Sequence, residues 1–244
     1  MTGAPPADGR TRVHREVVSF VRRSARMSSG QRRVWDTLAP QWVLDVAAGP
    51  ARTSLDPTAT LDLVAAFGRE APLVVEIGSG IGASLVPMAA ARPDTDVLAF
   101  EVYEPAVART VAALDRHGVH NVRLLVVDAV AGLDLLLAPA SIDELWVFFP
   151  DPWPKSRHHK RRLVTPRFAE LAADRLKPGA LWRLATDWAD YALAIREVLD
   201  ACPALENLHP GGWAPRWDER PVTRFEERGR EAGREILDLT YRRR

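Results

Sequence analysis

The segment Leu73-Val74-Val75-Glu76-Ile77-Gly78-Ser79-Gly80-Ile81-Gly82-Ala83 runs a short apolar stretch into a loop with glycine at every second position. An apolar strand that empties into a glycine turn is the opening unit of an open parallel α/β sheet. In such sheets ligands sit beyond the carboxyl ends of the strands, and glycine lets the backbone turn tightly and approach the ligand. The rest of the chain repeats the unit. Apolar runs at 97–100, 122–127, 144–149 and 180–185 alternate with helix-like stretches near 82–92, 105–117, 166–176 and 188–201. Buried strands alternating with helices predict an α/β fold with a doubly wound, mostly parallel sheet. The run Glu235-Ile236-Leu237-Asp238-Leu239-Thr240-Tyr241 alternates apolar and polar residues, which predicts a half-exposed final strand.

The glycines leave the ligand open, because Gly78, Gly80 and Ala83 also satisfy the G-x-G-x-x-G/A spacing of a dinucleotide site. Three acids at successive strand ends narrow it. Glu76 lies inside the first strand, where a buried carboxylate is costly without a partner, so it suits a cationic ligand. Glu101 ends the second strand, 19 residues after Gly82, where an acid accepts hydrogen bonds from ribose hydroxyls. Asp128 ends the third, placed to meet an adenine amino group. Each alone is an ordinary polar residue at a strand end. Together they favour a nucleoside ligand.

A chain of 244 residues, 47% hydrophobic and 27% charged, fits one sizeable domain with short appendages. No apolar run is long enough to cross a bilayer, the first residues lack the apolar core of a secretory signal, and the single Cys202 rules out an internal disulfide framework. A soluble protein of the reducing cytoplasm is expected, with no membrane partner. The net charge of +1 conceals an uneven distribution: residues 1–35 carry +6, residues 155–162 carry +5, and the remainder carries −10. Positive charge concentrated on an acidic body suits a polyanion. Residues 1–12 read as a disordered tail, 13–50 as a basic arm and 51–244 as the main domain.

The fourth strand exits through Phe148-Phe149-Pro150-Asp151-Pro152-Trp153-Pro154-Lys155-Ser156-Arg157-His158-His159-Lys160-Arg161-Arg162. Three prolines within five residues stiffen this exit and fix the direction of Asp151. The cations that follow, Arg157, Lys160, Arg161 and Arg162 among them, suit nucleic-acid phosphates. Adjacent histidines rarely converge on one metal and no acid lies among residues 155–162, so no metal is expected.

This segment resembles the signature of the bacterial tRNA (guanine-N7-)-methyltransferase family, and the similarity spans residues 17–241. It takes in Ser19-Phe20-Val21-Arg22-Arg23, Gly68-Arg69-Glu70-Ala71-Pro72, Ala185-Thr186-Asp187-Trp188 and Arg220-Pro221-Val222-Thr223-Arg224-Phe225-Glu226-Glu227-Arg228-Gly229. The resemblance implies the class I methyltransferase version of the fold with a final antiparallel strand, S-adenosyl-L-methionine as cofactor, and tRNA as partner, methylated at a variable-loop guanine. It places Glu76, Glu101, Asp128 and Asp151 at the cofactor, beside Gly78 and Gly80 of the loop, and makes Asp151 catalytic. It assigns Lys155, Asp187, Thr223, Arg224, Phe225 and Glu226 to the substrate. Ser79 stands where some relatives carry a bulkier residue. The chain is expected to act as a monomer or weak homodimer.

Three other readings share parts of this pattern, and a nicotinamide dehydrogenase would account for the glycines alone. A small-molecule methyltransferase needs the cofactor site but not the basic loop. A non-catalytic RNA-binding protein needs the arginines but not three acids and Asp151 on one rim.

Overall fold

The computed structural model describes residues 19–20, 26–51 and 53–244. The expected tail, 1–12, lies outside them, as do residues 13–18 and 21–25 of the expected arm. The elements run α1 (Ser29–Thr37), α2 (Leu63–Phe67), β1 (Leu73–Ile77), α3 (Leu85–Ala90), β2 (Asp96–Phe100), α4 (Glu104–His117), β3 (Val122–Leu125), α5 (Ala129–Leu136) and β4 (Ile142–Phe148). They continue with α6 (Pro166–Arg175), β5 (Leu176–Thr186), α7 (Ala189–Asp200), β6 (Leu205–Asn207), α8 (Arg224–Glu231) and β7 (Leu237–Arg243).

One seven-stranded sheet is ordered β3-β2-β1-β4-β5-β7-β6, with the first five strands parallel and β7 antiparallel to both its neighbours. Side chains alternate across it, as the pleat requires. Leu73, Val75 and Ile77 of β1 enter the core under α5, α6 and α7, built on Leu133, Phe168 and Ile195. Val74 points to the opposite layer, where Leu85, Val107 and Val111 of α3 and α4 cover it. Glu76 shares that second face, and this sets its later role. Because β1 is central and buried on both sides, its run is almost continuously apolar.

From Ser28 onward the segment read as a basic arm is packed onto the domain. Ser28 and Gln31 form a capping box at the start of α1, and the Gln31 Nε2 amide donates to the Pro105 carbonyl of α4 at 2.9 Å. Trp42 is buried, and its indole N–H donates to the Val119 carbonyl at 2.9 Å. Val43 then bridges Leu124 in parallel, covering the outer edge of β3. An edge strand left open invites pairing with other chains, and this bridge blunts it.

The final strand differs from the expectation of half exposure. β7 lies inside the sheet between β5 and β6, and both Asp238 and Thr240 are buried. Burial of Asp238 is tolerated because both its carboxylate oxygens accept from Arg220 Nη2 at 3.0 Å. Among the described residues no helix is long and apolar enough to cross a membrane, and no group of three or more metal-ligating side chains is assembled.

Candidate functional site

The carboxyl ends of the parallel strands open into a cavity of about 580 Å³, within the roughly 300–1,000 Å³ usual for small-molecule clefts. Gly78, Gly80 and Gly82 all have positive φ, at 81°, 57° and 75°. A side chain at Gly80 would meet no neighbour, so there the backbone conformation alone demands glycine. At Gly82 a Cβ would also come within 2.8 Å of Thr110, so close packing of the loop on α4 adds a second demand.

Glu76 lines this cavity yet is only 1% exposed. Its Oε1 accepts from the Ser84 hydroxyl at 3.0 Å, while Oε2 has no hydrogen-bond partner. Burial pushes the carboxyl up to about 7, against the Ser84 hydrogen bond that lowers it, with the nearby Glu101 charge raising it further. Ser79, at the position noted as small, is also buried on the cavity wall with an unpartnered hydroxyl. An unsatisfied carboxylate oxygen facing a cavity fits a cationic ligand that donates to it.

Glu101 is oriented from two sides: the Gly80 N–H donates to Oε2 at 2.8 Å and the Tyr103 N–H to Oε1 at 2.9 Å. It thereby fixes the glycine loop and turns its carboxylate along the cavity wall. Asp128 caps α5, its Oδ1 accepting from the N–H groups of Val130 and Ala131 at 2.9 and 3.3 Å. Its neighbours Val127 and Ala129, rather than Asp128 itself, line the cavity.

Asp151 lies on the cavity wall at the end of β4. The backbone around it is held in an uncommon form. Phe149 and Trp153 both take left-handed conformations, at φ 51° and 47°, which for bulky residues costs about 1–3 kcal/mol each and persists only where the surroundings enforce it. Those surroundings are visible. The Phe149 N–H donates to the Ala185 carbonyl of β5 at 2.7 Å, the Trp153 indole N–H donates to the Ser19 carbonyl at 3.0 Å, and Arg162 Nε donates to the Pro152 carbonyl at 3.0 Å.

Arg162 is therefore turned inward, unlike its neighbours. It is 7% exposed, ion-paired with Asp190 and stacked 4.8 Å from the Tyr191 ring. Bracing the loop leaves it unavailable to phosphate. Lys155, Arg157, Lys160 and Arg161 remain exposed around the short 3₁₀ turn Ser156–Arg161. Burial, with the charges of Arg157, Arg161, Lys155 and Lys160, holds the His158 imidazole below its usual pKa, so it takes up a proton less readily than a free histidine.

The closing segment divides. Thr223 caps α8, its hydroxyl accepting from the Glu226 N–H, and Thr223, Arg224 and Phe225 line the cavity. Phe225 is 58% exposed, so it is not consumed by packing. Trp153 is covered instead, with Arg161 4.9 Å from its ring and His158 edge-on at 5.9 Å. Glu226 is not brought to the cavity. It is fully buried and accepts from Arg216, Arg220 and Arg230 at 2.9, 2.6 and 2.5 Å. Burial pushes its pKa up, but the Arg216 hydrogen bond and the charges of Arg220, Arg216 and Arg230 outweigh burial and leave it lowered. Asp187 lies under α8, accepting from Arg234 Nε at 2.8 Å, and Lys155 lies on the exposed loop. Neither lines the cavity. Arg109, Arg220 and Arg228 do line it: the last two lie in the closing motif without an assigned role, and Arg109 lies in none.

A parallel sheet of this order with one inserted antiparallel strand, a glycine loop after β1 and acids at the ends of β1 and β2 defines a class I S-adenosylmethionine-dependent methyltransferase. The fold agrees with the solved 16S rRNA (adenine(1408)-N(1))-methyltransferase of Catenulisporales acidiphilia, at a TM-score of 0.50 and 18% identity over 82% of this chain and 96% of that one. The family model described as "Putative methyltransferase" matches residues 70–239. Two curated relatives, from Cutibacterium acnes and a Nocardioides species, are each 55% identical, covering 95% and 98% of this chain and 85% and 91% of theirs. Both are named tRNA (guanine-N(7)-)-methyltransferase. The chain belongs to the tRNA (guanine-N(7)-)-methyltransferase family.

Glu76 gives a pH-dependent prediction. Its carboxyl holds a proton to about pH 7 when folded but only to about 4.5 when unfolded. The folded state thus binds more protons between those values, and the ligand-free protein loses stability as pH rises from about 4.5 to 7. A difference of that size corresponds to at most about 3 kcal/mol. Glu76→Gln removes this titration, so the melting temperature of the ligand-free variant should depend less on pH between about 5 and 7.5 than that of the wild type. Parallel melting curves across that window would show that Glu76 does not titrate there.

Proposed function

We propose that this enzyme transfers a methyl group to N7 of a guanine in the variable loop of tRNA. One observation carries the reading: Asp151 sits on the wall of the cavity that holds Glu76 and Glu101, and the backbone that positions it runs directly into an exposed face of four cations. The names of the two relatives support the nucleic-acid class and the modified atom.

S-adenosylmethionine, when bound, supplies an electrophilic methyl on a cationic sulfonium. In our reading Glu76 and Glu101 hold it, Glu76 by answering a cationic group with its unpaired oxygen and Glu101 by accepting from ribose hydroxyls. Asp128, as the cap of α5, shapes the adenine end. Guanine N7 carries an exposed lone pair and no proton, so the chain need not provide a general base. It has to align the base and place negative charge where positive charge grows on the purine. Asp151 supplies that charge, and its carboxylate can accept from the guanine N–H edge. Asp187, engaged by Arg234, and Glu226, enclosed by arginines, then position α8 rather than touch the base. Phe225 offers a free aromatic face for stacking.

In an A-form helix the deep, narrow major groove closes N7 to side chains. The target guanine therefore comes from a loop or an opened region, and the family resemblance makes that the variable loop. Fragment mapping of an unmodified tRNA transcript after methylation tests this: the label should lie in the variable-loop fragment, and label in the anticodon or D-loop fragment would overturn the position.

The exposed cations predict a salt effect. Changing Arg157, Lys160 and Arg161 together to glutamine should flatten the dependence of log tRNA affinity on log salt by about 0.7–0.9 for each phosphate no longer neutralised, with cofactor affinity unchanged. An unaltered slope would make the loop a solvated face.

A further inference from the structure

The cavity wall carries three arginines to which neither cofactor binding nor methyl transfer gives work. Arg109 projects from α4, and Arg224 and Arg228 stand one turn apart on the same face of α8. All three are exposed and all three line the cavity, so they stand at its opening. Among the described residues none of them forms an ion pair. The contrast with neighbouring arginines is sharp, since Arg216, Arg220, Arg230 and Arg234 are each bonded to a carboxylate. Glu227 and Glu231 lie within helical reach of Arg224 and Arg228, yet neither pairing is made.

Charge is thus sorted by depth, since Arg220, buried on the same wall, is neutralised by Glu226 and Asp238. The acids Glu76 and Glu101 come from strand ends at the floor, and the three cations come from two helices at the mouth. A ligand that matches this order is cationic inside and anionic outside. The cofactor accounts for the inside only, because it has no phosphate and a single carboxylate, too little for three arginines. A nucleotide entering base-first leaves its own two phosphates at the opening. Arginines held clear of carboxylates suit phosphates, which accept their planar donors in pairs.

We propose that Arg109, Arg224 and Arg228 form a phosphate clamp that holds the two phosphates flanking the target guanosine while its base is drawn into the cavity. This rests on the reading of the site as an RNA-methylating one and adds to it a surface separate from the loop at 155–161. Arg224 already falls within the segment assigned to substrate. Arg109 and Arg228 are new.

The test is a double-mutant cycle between protein and RNA. Arg109→Gln and Arg228→Gln are combined, and binding is measured to full-length tRNA with either normal phosphates or neutral methylphosphonates on both sides of the target guanosine. With Arg224 left to hold one phosphate, the clamp predicts that the protein change flattens the salt slope by about 0.7–0.9, the worth of the other. It also predicts that the methylphosphonates weaken wild-type binding clearly more than they weaken the double variant. Cofactor affinity should be unchanged. Fully additive losses, or an unchanged slope, would place these arginines away from the flanking phosphates and overturn the clamp. A loss confined to cofactor affinity would assign them to the cofactor carboxylate and overturn it equally. Failure of the underlying reading looks different: wild-type enzyme would then form no 7-methylguanosine on unmodified tRNA, and the clamp would fall with it.

Discussion

Asp151→Asn should lower single-turnover methyl transfer about 100- to 1,000-fold with both substrates saturating, equivalent to roughly 2.7–4 kcal/mol for the loss of one preorganised stabilising group. The substitution keeps an oxygen acceptor and nearly the same volume while removing the charge. The loop around it is held by the Arg162 hydrogen bond to Pro152 and by the strand hydrogen bond of Phe149, neither of which involves the carboxylate. Both of those bonds survive the substitution, so the change acts first on the charge. Binding of tRNA and of cofactor should change far less, because the charge Asp151 answers appears only as the methyl moves. Transfer within a few-fold of wild type would make Asp151 a positioning residue. Because Glu226 and Asp187 are engaged by arginines, the structure offers neither as an obvious substitute.

Glu101→Ala carries the second large effect, on affinity rather than rate. Two backbone N–H groups aim this carboxylate before any ligand arrives, so little ordering is left to be done on binding. Hydrogen bonds to a charged group contribute about 1.5–3 kcal/mol each and rarely add fully. The variant should bind S-adenosylmethionine roughly 2–3 kcal/mol more weakly, about a 30- to 150-fold rise in Kd by calorimetry. Part of this weakening will come through the glycine loop, which Glu101 anchors at Gly80. Unchanged affinity would remove Glu101 from the cofactor site.

How far the sequence could be read follows from where local pattern and tertiary packing agree. β1 to β3 are legible because strands buried on both faces are short and apolar. β5 begins earlier than its apolar run, at Leu176, because Lys177, Pro178 and Gly179 look like turn punctuation. α5 escapes notice because Ala129–Leu136 is nearly all apolar and holds a glycine. Gly132 is there because the Phe100 ring occupies the place of a side chain, with a Cβ falling 2.2 Å from it. α8 has no apolar stripe, and only the Thr223-x-x-Glu226 spacing marks its start.

The residues that the sequence places on the cavity wall and the structure puts there are those whose direction the strands dictate: Glu76, Glu101 and Asp151 all belong to the carboxyl ends of parallel strands, whereas Asp128 is spent on capping α5. Charge runs are less legible, since a row of cations does not reveal which member turns inward. Arg162 braces the loop while Arg157, Lys160 and Arg161 face outward. Glu226 sits in the same motif as Phe225, but one step along a helix separates the cavity from a buried cluster of arginines. Arg109 belongs to no motif, and only the packing of α4 beside the glycine loop brings it to the cavity.

Incubating an unmodified tRNA transcript with the purified protein and isotopically labelled S-adenosylmethionine, then analysing the nucleosides by mass spectrometry, tests the proposed chemistry at its root. A single labelled product is expected, 7-methylguanosine, distinguished from its isomers by chromatographic retention and by its lability to base. Label in N1- or N2-methylguanosine, in another base, or in no nucleoside at all would contradict that assignment.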